Sequence, residues 1–269
     1  MRVRYSLSFV LLIVALAAFL AACGSKTRRE RAVTVAAPTM DAQKVAAKAF
    51  DQVKAKTALD ENSRTNAYII CVAEELIRDM HGDWEIAIFR QATPFLYVLP
   101  GRKIGVNNGI LRVARNQHQL AAVMAHGLAH VVARHPDKRL AYALSEQPTM
   151  DPMRAVQRPS SPEGRTVMQA LGMETERNTV TPFDASQEAE ANALGMDLMA
   201  RAGFNPRESI AAWRSLDSNA AARSDGFLAL HPSHGNRSAQ LEGRLQAALR
   251  VQQEALTTRK KPDCDRLRP

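Results

Sequence analysis

Apolar residues recur at helical spacing through most of the chain. The clearest stretch is 116–134, NQHQLAAVMAHGLAHVVAR, in which Leu120, Ala121, Val123 and Met124 precede His126, and Val131 and Val132 follow His130. Apolar positions on every side predict a buried helix, and His135-Pro136 ends it. A second strong helix is predicted over 185–202, with Arg201 in its last turn and Gly203 placed to stop it. Upstream, two amphipathic helices are predicted over 41–59 and 63–80, with Asp41 and Ser63 as their N-caps. Shorter helical patterns run over 138–144, 164–177, 206–216 and 238–256.

Between the second and the buried helix the pattern changes. Segments 84–89 (WEIAIF) and 95–99 (FLYVL) are rich in β-branched and aromatic residues and read as strands, with 103–106 as a third. Pro94, Pro100-Gly101 and Asn107-Asn108-Gly109 mark turns. The 103–106 segment is expected at the sheet edge, where an extended peptide can add a strand. Loops are expected over 147–162, 179–182 and 227–237, with a small, polar, mobile stretch at 218–225. The fold class is therefore α+β, mainly helical, with a small sheet beside the buried helix.

The first 22 residues stand apart. Arg2 and Arg4 precede an apolar run over 7–20, which ends in Leu20-Ala21-Ala22-Cys23. The run falls short of the roughly 20 residues of a membrane span and has the flanks of a signal peptide. Its end resembles a bacterial lipobox, so cleavage before Cys23 and lipidation of that cysteine are expected. Residue 24 is Gly rather than the aspartate associated with inner-membrane retention. The expected location is thus the periplasmic face of the outer membrane. The organisation that follows is a leader (1–22), a lipidated cysteine with flexible tether (23–40), a globular domain (41–257) and a basic C-terminal tail (258–269).

Composition fits one domain with extensions: 269 residues, 46% of them apolar. The net charge of +9 falls to +7 without Arg2 and Arg4. In an exported chain, that balance implies solubility or a face near anionic lipid, and no nucleic-acid partner is expected. Cys71 and Cys264 remain, and an oxidising compartment turns such a pair into a disulfide.

The chemistry begins at His126 and His130. Residues four apart share a helix face, so the two rings can grip one metal ion. A zinc peptidase carries H-E-x-x-H, with the glutamate as general base, but here that position is Gly127. Hydrolytic zinc sites use three protein ligands. Glu188 and Glu190, on the second strong helix, are the candidates for the third, and Asn192 shares the face of Glu188.

Several segments, taken in order, carry a resemblance. They are Trp84–Phe89, Leu99-Pro100-Gly101-Arg102-Lys103-Ile104, Asn108-Gly109-Ile110-Leu111, Gln119–His135, Ser186–Pro206 and His231-Pro232-Ser233-His234-Gly235-Asn236-Arg237. Together they resemble the superfamily of HtpX-type, Oma-type and CAAX-prenyl-protease-type zinc metallopeptidases, in its periplasmic lipoprotein branch. The resemblance implies a zincin-like domain with one zinc ion on His126, His130 and Glu188. It places Asn192 where the family has a supporting aspartate and Gly127 where it has the base. It sets His231 and Arg237 near the cleft, and it supports pairing of Cys71 with Cys264. His118, His135 and His234 are left as surface or structural residues.

The functional expectation is a periplasmic peptidase-family protein with impaired or absent proteolysis, which binds unfolded or envelope proteins in quality control. The alternatives are an active zinc endopeptidase that uses a water relay or another base, and a structural lipoprotein without metal.

Overall fold

In the computed structural model the described residues are 40–143, 161–173, 183–224, 226–232, 235 and 237–269. The leader, Cys23, the tether to residue 39, most of the 147–162 loop, the 179–182 break, His234 and Asn236 lie outside them. The chain opens with α1 (Met40–Lys56) and α2 (Ser63–Ile77), followed by β1 (Glu85–Phe89), β2 (Leu96–Leu99) and β3 (Lys103–Asn107). A 3-10 turn (Asn108–Arg112) leads to α3 (Gln117–Val132), α4 (His135–Ala143), α5 (Pro162–Ala170) and α6 (Ala185–Arg201). Then come α7 (Arg207–Ser218), α8 (Ala220–Ser224), α9 (Phe227–Leu230) and α10 (Arg237–Ala255). The architecture is mainly helical with one three-stranded sheet. Among the described residues no helix is long and apolar enough to cross a membrane.

The sheet order is β1-β3-β2, with β3 parallel to β1 and antiparallel to β2. This corrects the expectation for 103–106: β3 is the central strand, and β1 and β2 are the edges. The crossing is possible because β3 carries Gly105 opposite Tyr97. A Cβ at Gly105 would stand 2.0 Å from the Tyr97 ring. Strand alternation then sorts the sheet's two faces. Leu96, Val98, Ile104 and Val106 join α2, α3 and α6 in one core. Phe89, Phe95, Tyr97 and Leu99 join Phe50 of α1 and Val167 of α5 in another.

Helix ends differ from expectation where a neighbouring side chain supplies a better cap. Asn62, not Ser63, caps α2 by accepting from the Thr65 N–H at 2.9 Å. The first helix starts at Met40, before Asp41. Ser161 caps α5, so Pro162 opens a helix rather than closing a loop. That helix stops at Ala170, short of the expected 177, because Gly172 takes a left-handed conformation (φ 68°). The 218–225 stretch, expected to be mobile, contains α8, and the 227–237 loop contains the α9 turn. Gly203 (φ 87°) ends α6 as expected; its N–H donates to the Ala200 carbonyl and that of Phe204 to Met199, both at 3.0 Å.

The C-terminal tail packs on the domain. Cys71 of α2 and Cys264 form a disulfide across 193 residues. In the chain-entropy account such a loop contributes up to ~5 kcal/mol. Beside it, Asp265 Oδ1 accepts from the Gln117 N–H at 2.8 Å and from the Tyr68 hydroxyl at 3.2 Å. The tail thus places a carboxylate at the N-terminus of α3, where the helix dipole favours it.

On the opposite face, Glu163 in the first turn of α5 is an uneasy group. Burial pushes its carboxyl up to about 7, against a weaker opposing hydrogen bond from Asn107 at 3.3 Å. Its Oε1 is buried without a partner. The folded state holds this proton more tightly than the unfolded chain, so the associated stability is complete below pH ~4.5 and is lost as pH rises through ~7. Glu163→Gln is expected to leave stability at pH 5 nearly unchanged and to raise it at pH 8 by about 1–3 kcal/mol. Thermal melts at the two pH values check this; an equal change at both would contradict it.

Candidate metal centre

α3 is built to hold two histidines rigidly. Asn116 caps it, accepting from the Gln119 N–H at 2.9 Å, and both Asn116 and Gln119 donate to Glu208 of α7. Every residue from Gln119 to Val131 is buried. α6 is fixed by a capping box, in which Asp184 accepts from the Gln187 N–H at 2.8 Å and the Gln187 side chain accepts from the Asp184 N–H at 3.1 Å. The two helices meet at Gly195, where an added Cβ would lie 2.9 Å from the His126 Cα. Glu188 is two turns before Gly195 on the same face. That close approach carries it alongside the histidines.

The donors converge. His126 Nε2 lies 3.1 Å from His130 Nε2, and Glu188 oxygens lie 3.3 and 3.4 Å from those two nitrogens. His231 Nδ1 stands 3.3 Å from His126 Nε2 and 3.1 Å from Glu188 Oε1. All four groups are buried, with donor atoms within 4.8 Å of one another. A tetrahedral ion with arms of ~2.0–2.1 Å needs its donors about 3.3 Å apart. The spacings among His126, His130 and Glu188 match, so these three residues fit a tetrahedral metal ion, with His231 beside them. Glu188 and Glu190, both open from sequence, are now separated: Glu188 is in the group, whereas the Glu190 carboxylate points to His135.

Electrostatics favour a cation here. Burial pushes the His126 imidazole down to about 4 and that of His130 well below its usual range. Both rings are neutral near pH 7, as metal ligands must be. The Glu188 carboxyl is pushed up by burial, but the facing imidazoles outweigh this and hold it well below the usual range. Arg237 donates from Nη2 to Glu188 at 3.2 Å and to the backbone carbonyls of His231 and Pro232. Its guanidinium also lies 3.9 Å from the centre of the Trp213 ring.

The position after His126 has no side chain to offer. A Cβ at Gly127 would stand 3.0 Å from Val98 Cγ2, so strand β2 lies close against the helix at this point. Asn192 does not support a ligand histidine as its family position implies. Its Nδ2 donates to Gln240 at 3.1 Å, and its Oδ1, like His126 Nδ1, is buried without a partner. The amide carries no charge to draw it toward an imidazole, and Gln240 of α10 offers an acceptor.

His135 is the residue that sequence reasoning misplaced furthest. It is fully buried, with Nδ1 3.0 Å from His130 Nδ1 and Nε2 3.1 Å from Glu190 Oε2. A break after the buried helix was legible, but it falls at Ala133-Arg134 rather than at His135-Pro136, which instead opens α4, and the pattern did not show that the break sets the His135 ring against His130. The aromatic wall was also missed: Phe183 stacks on His130 at 3.9 Å, Phe227 on His231 at 4.5 Å, and Trp213 meets His126 edge-on. His118 is half-buried and structural; its Nδ1 accepts from the Asn205 N–H at 3.2 Å.

Comparison with known proteins gives this arrangement a lineage. The chain is 30% identical over 161 residues to the mitochondrial metalloendopeptidase OMA1 of Schizosaccharomyces pombe, covering 59% of this chain and 46% of that protein. It is 29% identical over 168 residues to the Saccharomyces cerevisiae OMA1 (57% and 45%). The β-barrel assembly-enhancing protease of Escherichia coli is 28% identical over 114 residues, covering 40% of this chain and 23% of that protein. The chain thus spans less than half the length of these curated relatives. The sequence profile of peptidase family M48 matches residues 63–245, a span that includes His126, His130, Glu188 and His231. This chain belongs to peptidase family M48.

Proposed function

We propose that this protein is an M48 domain that binds one zinc ion and extended protein segments but has little or no proteolytic activity. His126, His130 and Glu188 hold the ion. Arg237 fixes the Glu188 carboxylate, and His231 offers a fourth donor. Zinc, when bound, polarises a peptide carbonyl and makes a nearby water more acidic. What the donor group does not offer, among the described residues, is a carboxylate free to carry the proton. Gly127 carries the reading: it stands beside the donors where H-E-x-x-H places the general base, and the only carboxylate in the donor group is Glu188. General acid–base catalysis is worth ~10²–10⁴-fold, so its loss leaves slow hydrolysis at most.

The clients are unfolded or envelope proteins, bound in extended form. The name of the Escherichia coli relative, which ties that protein to β-barrel assembly, supports this choice. The lipobox at Cys23 supports attachment to the periplasmic face of the outer membrane.

The test uses the purified mature protein. One zinc per chain is expected, with retention of an unfolded protein such as reduced casein and no chelator-sensitive cleavage. Chelator-sensitive turnover at a rate typical of peptidases would overturn the reading, and absence of zinc would remove the metal assignment. A rival reading, an active endopeptidase with another base, draws on the His231 ring among the donors. In that case His231→Ala abolishes cleavage.

A further inference from the structure

The two histidines of α3 are not held alike. His126 Nδ1 is buried without a partner, whereas His130 Nδ1 begins a chain of contacts that runs to the surface. His135 Nδ1 lies 3.0 Å from His130 Nδ1, and His135 Nε2 lies 3.1 Å from Glu190 Oε2. The Glu190 side chain is 57% exposed and that of His135 is fully buried. The turn that makes this possible is unusual. Arg134, not a glycine, sits in the left-handed region (φ 59°), and this reverses the chain between α3 and α4. Such a conformation is disfavoured for a residue with a Cβ. It places His135, five residues after His130, against the back of the ligand ring.

With both rings neutral and His130 Nε2 kept bare for a metal ion, hydrogen-bond direction along this chain has one solution. Two facing Nδ1 atoms share one proton. If His135 held it, its bare Nε2 would face the Glu190 carboxylate, with two lone pairs opposed and no proton between them. If His130 holds it, His135 Nδ1 accepts and His135 Nε2–H donates to Glu190, so each of the two contacts carries one proton. The His130 Nε2 lone pair is then free and directed at Glu188 and His126. Phe183, stacked on His130 at 3.9 Å, fixes the plane of the ring while the hydrogen bond fixes its rotation.

We propose that His135 and Glu190 form a positioning relay that holds His130 in the Nδ1–H tautomer and so presets its Nε2 as a metal ligand. The inference rests on the metal reading above and adds two residues to it. Neither residue touches the ion. The relay takes the orienting role that Asn192, turned to Gln240, does not perform for either histidine. Groups that orient metal-bound histidines are commonly worth ~10–100-fold in metal affinity.

The experiment combines nitrogen-15 NMR of the imidazoles in metal-free protein with zinc affinity by chelator competition. In the unmodified protein His130 is expected as the Nδ1–H tautomer. His135→Gln should keep that tautomer and bind zinc within about threefold of the unmodified protein, because its amide accepts from His130 and donates to Glu190. His135→Phe should lose the preference and bind zinc ~10–100-fold more weakly. Glu190→Ala, at an exposed position that folding tolerates, should weaken zinc by ~3–10-fold, a smaller loss because His135 itself remains. A merely structural His135 would leave the tautomer of His130 unmoved in folded Glu190→Ala protein. The relay is overturned if His130 is Nε2–H in the unmodified protein, or if His135→Phe folds and binds zinc as tightly. If the unmodified protein binds no zinc, the metal reading fails, and the NMR tautomers still decide the relay.

Discussion

Gly127→Glu is expected to raise zinc-dependent cleavage of an unfolded protein by about 10²-fold, the lower end of what a general base supplies. The ceiling is set by packing. The new Cβ meets Val98 Cγ2 at 3.0 Å, so the β2 edge must shift by a few tenths of an ångström or Val98 must turn. Val98→Ala beside it should therefore increase the gain. His231 sets a second limit, since its Nδ1 stands at the fourth donor position, and His231→Ala added to Gly127→Glu should open that position. The helix itself gains, because glycine inside a helix costs roughly 1 kcal/mol relative to alanine. Asn192→Asp adds little by itself, for that side chain addresses Gln240 rather than a ligand. The measurement is the initial rate of casein cleavage with and without chelator. If Gly127→Glu binds zinc yet cleaves no faster than the unmodified protein, the missing base does not explain low activity.

Glu188→Ala carries the largest expected cost in stability. Glu188 is the acidic partner of Arg237, and both side chains are buried, at 3% and 4% exposure. Removing one member of a buried ion pair leaves the other uncompensated, a loss of about 3–5 kcal/mol. Here the Arg237 Nε and Nη1 already lack partners, so the backbone carbonyls and the Trp213 ring are all that remain. Zinc affinity should fall by more than the ~10²-fold that second-sphere groups reach. Glu188→Ala with Arg237→Met separates the two effects: it should recover most of the stability and none of the zinc binding. Chemical denaturation and chelator competition on the same samples check both. Zinc binding by Glu188→Ala at the original affinity would remove Glu188 from the ligand set.

The same residues show how far sequence pattern reaches. The pairing of His126 with His130 was legible, because spacing of four on an α-helix fixes a shared face without help from the rest of the chain. Gly203 was legible as a helix stop for the same local reason. The resemblance set Glu188 ahead of Glu190, which local spacing alone left equal. Less was readable where two distant segments compete for one role. Segment 103–106 looked like an edge strand, but strand order depends on partners, and Gly105 opposite Tyr97 lets β3 lie between the other two. Asn62 displaced Ser63 as a cap because cap choice turns on where one N–H points. His135 looked structural because nothing in its neighbours announces a left-handed Arg134.

The sequence by itself determined the mainly helical α+β class, the two-histidine grip on α3 and the absence of a glutamate between the histidines. These follow from local periodicity and residue identity. The tertiary structure decided that Glu188 and His231, 62 and 105 residues from His126, stand beside the two histidines. It also decided that Arg237 pins the carboxylate, that the Asn192 amide donates to Gln240, and that His135 stands behind His130. The physical reason is that donors must meet within a few ångströms. That convergence is set by the close crossing of α3 and α6 at Gly195, a packing event between segments some 70 residues apart.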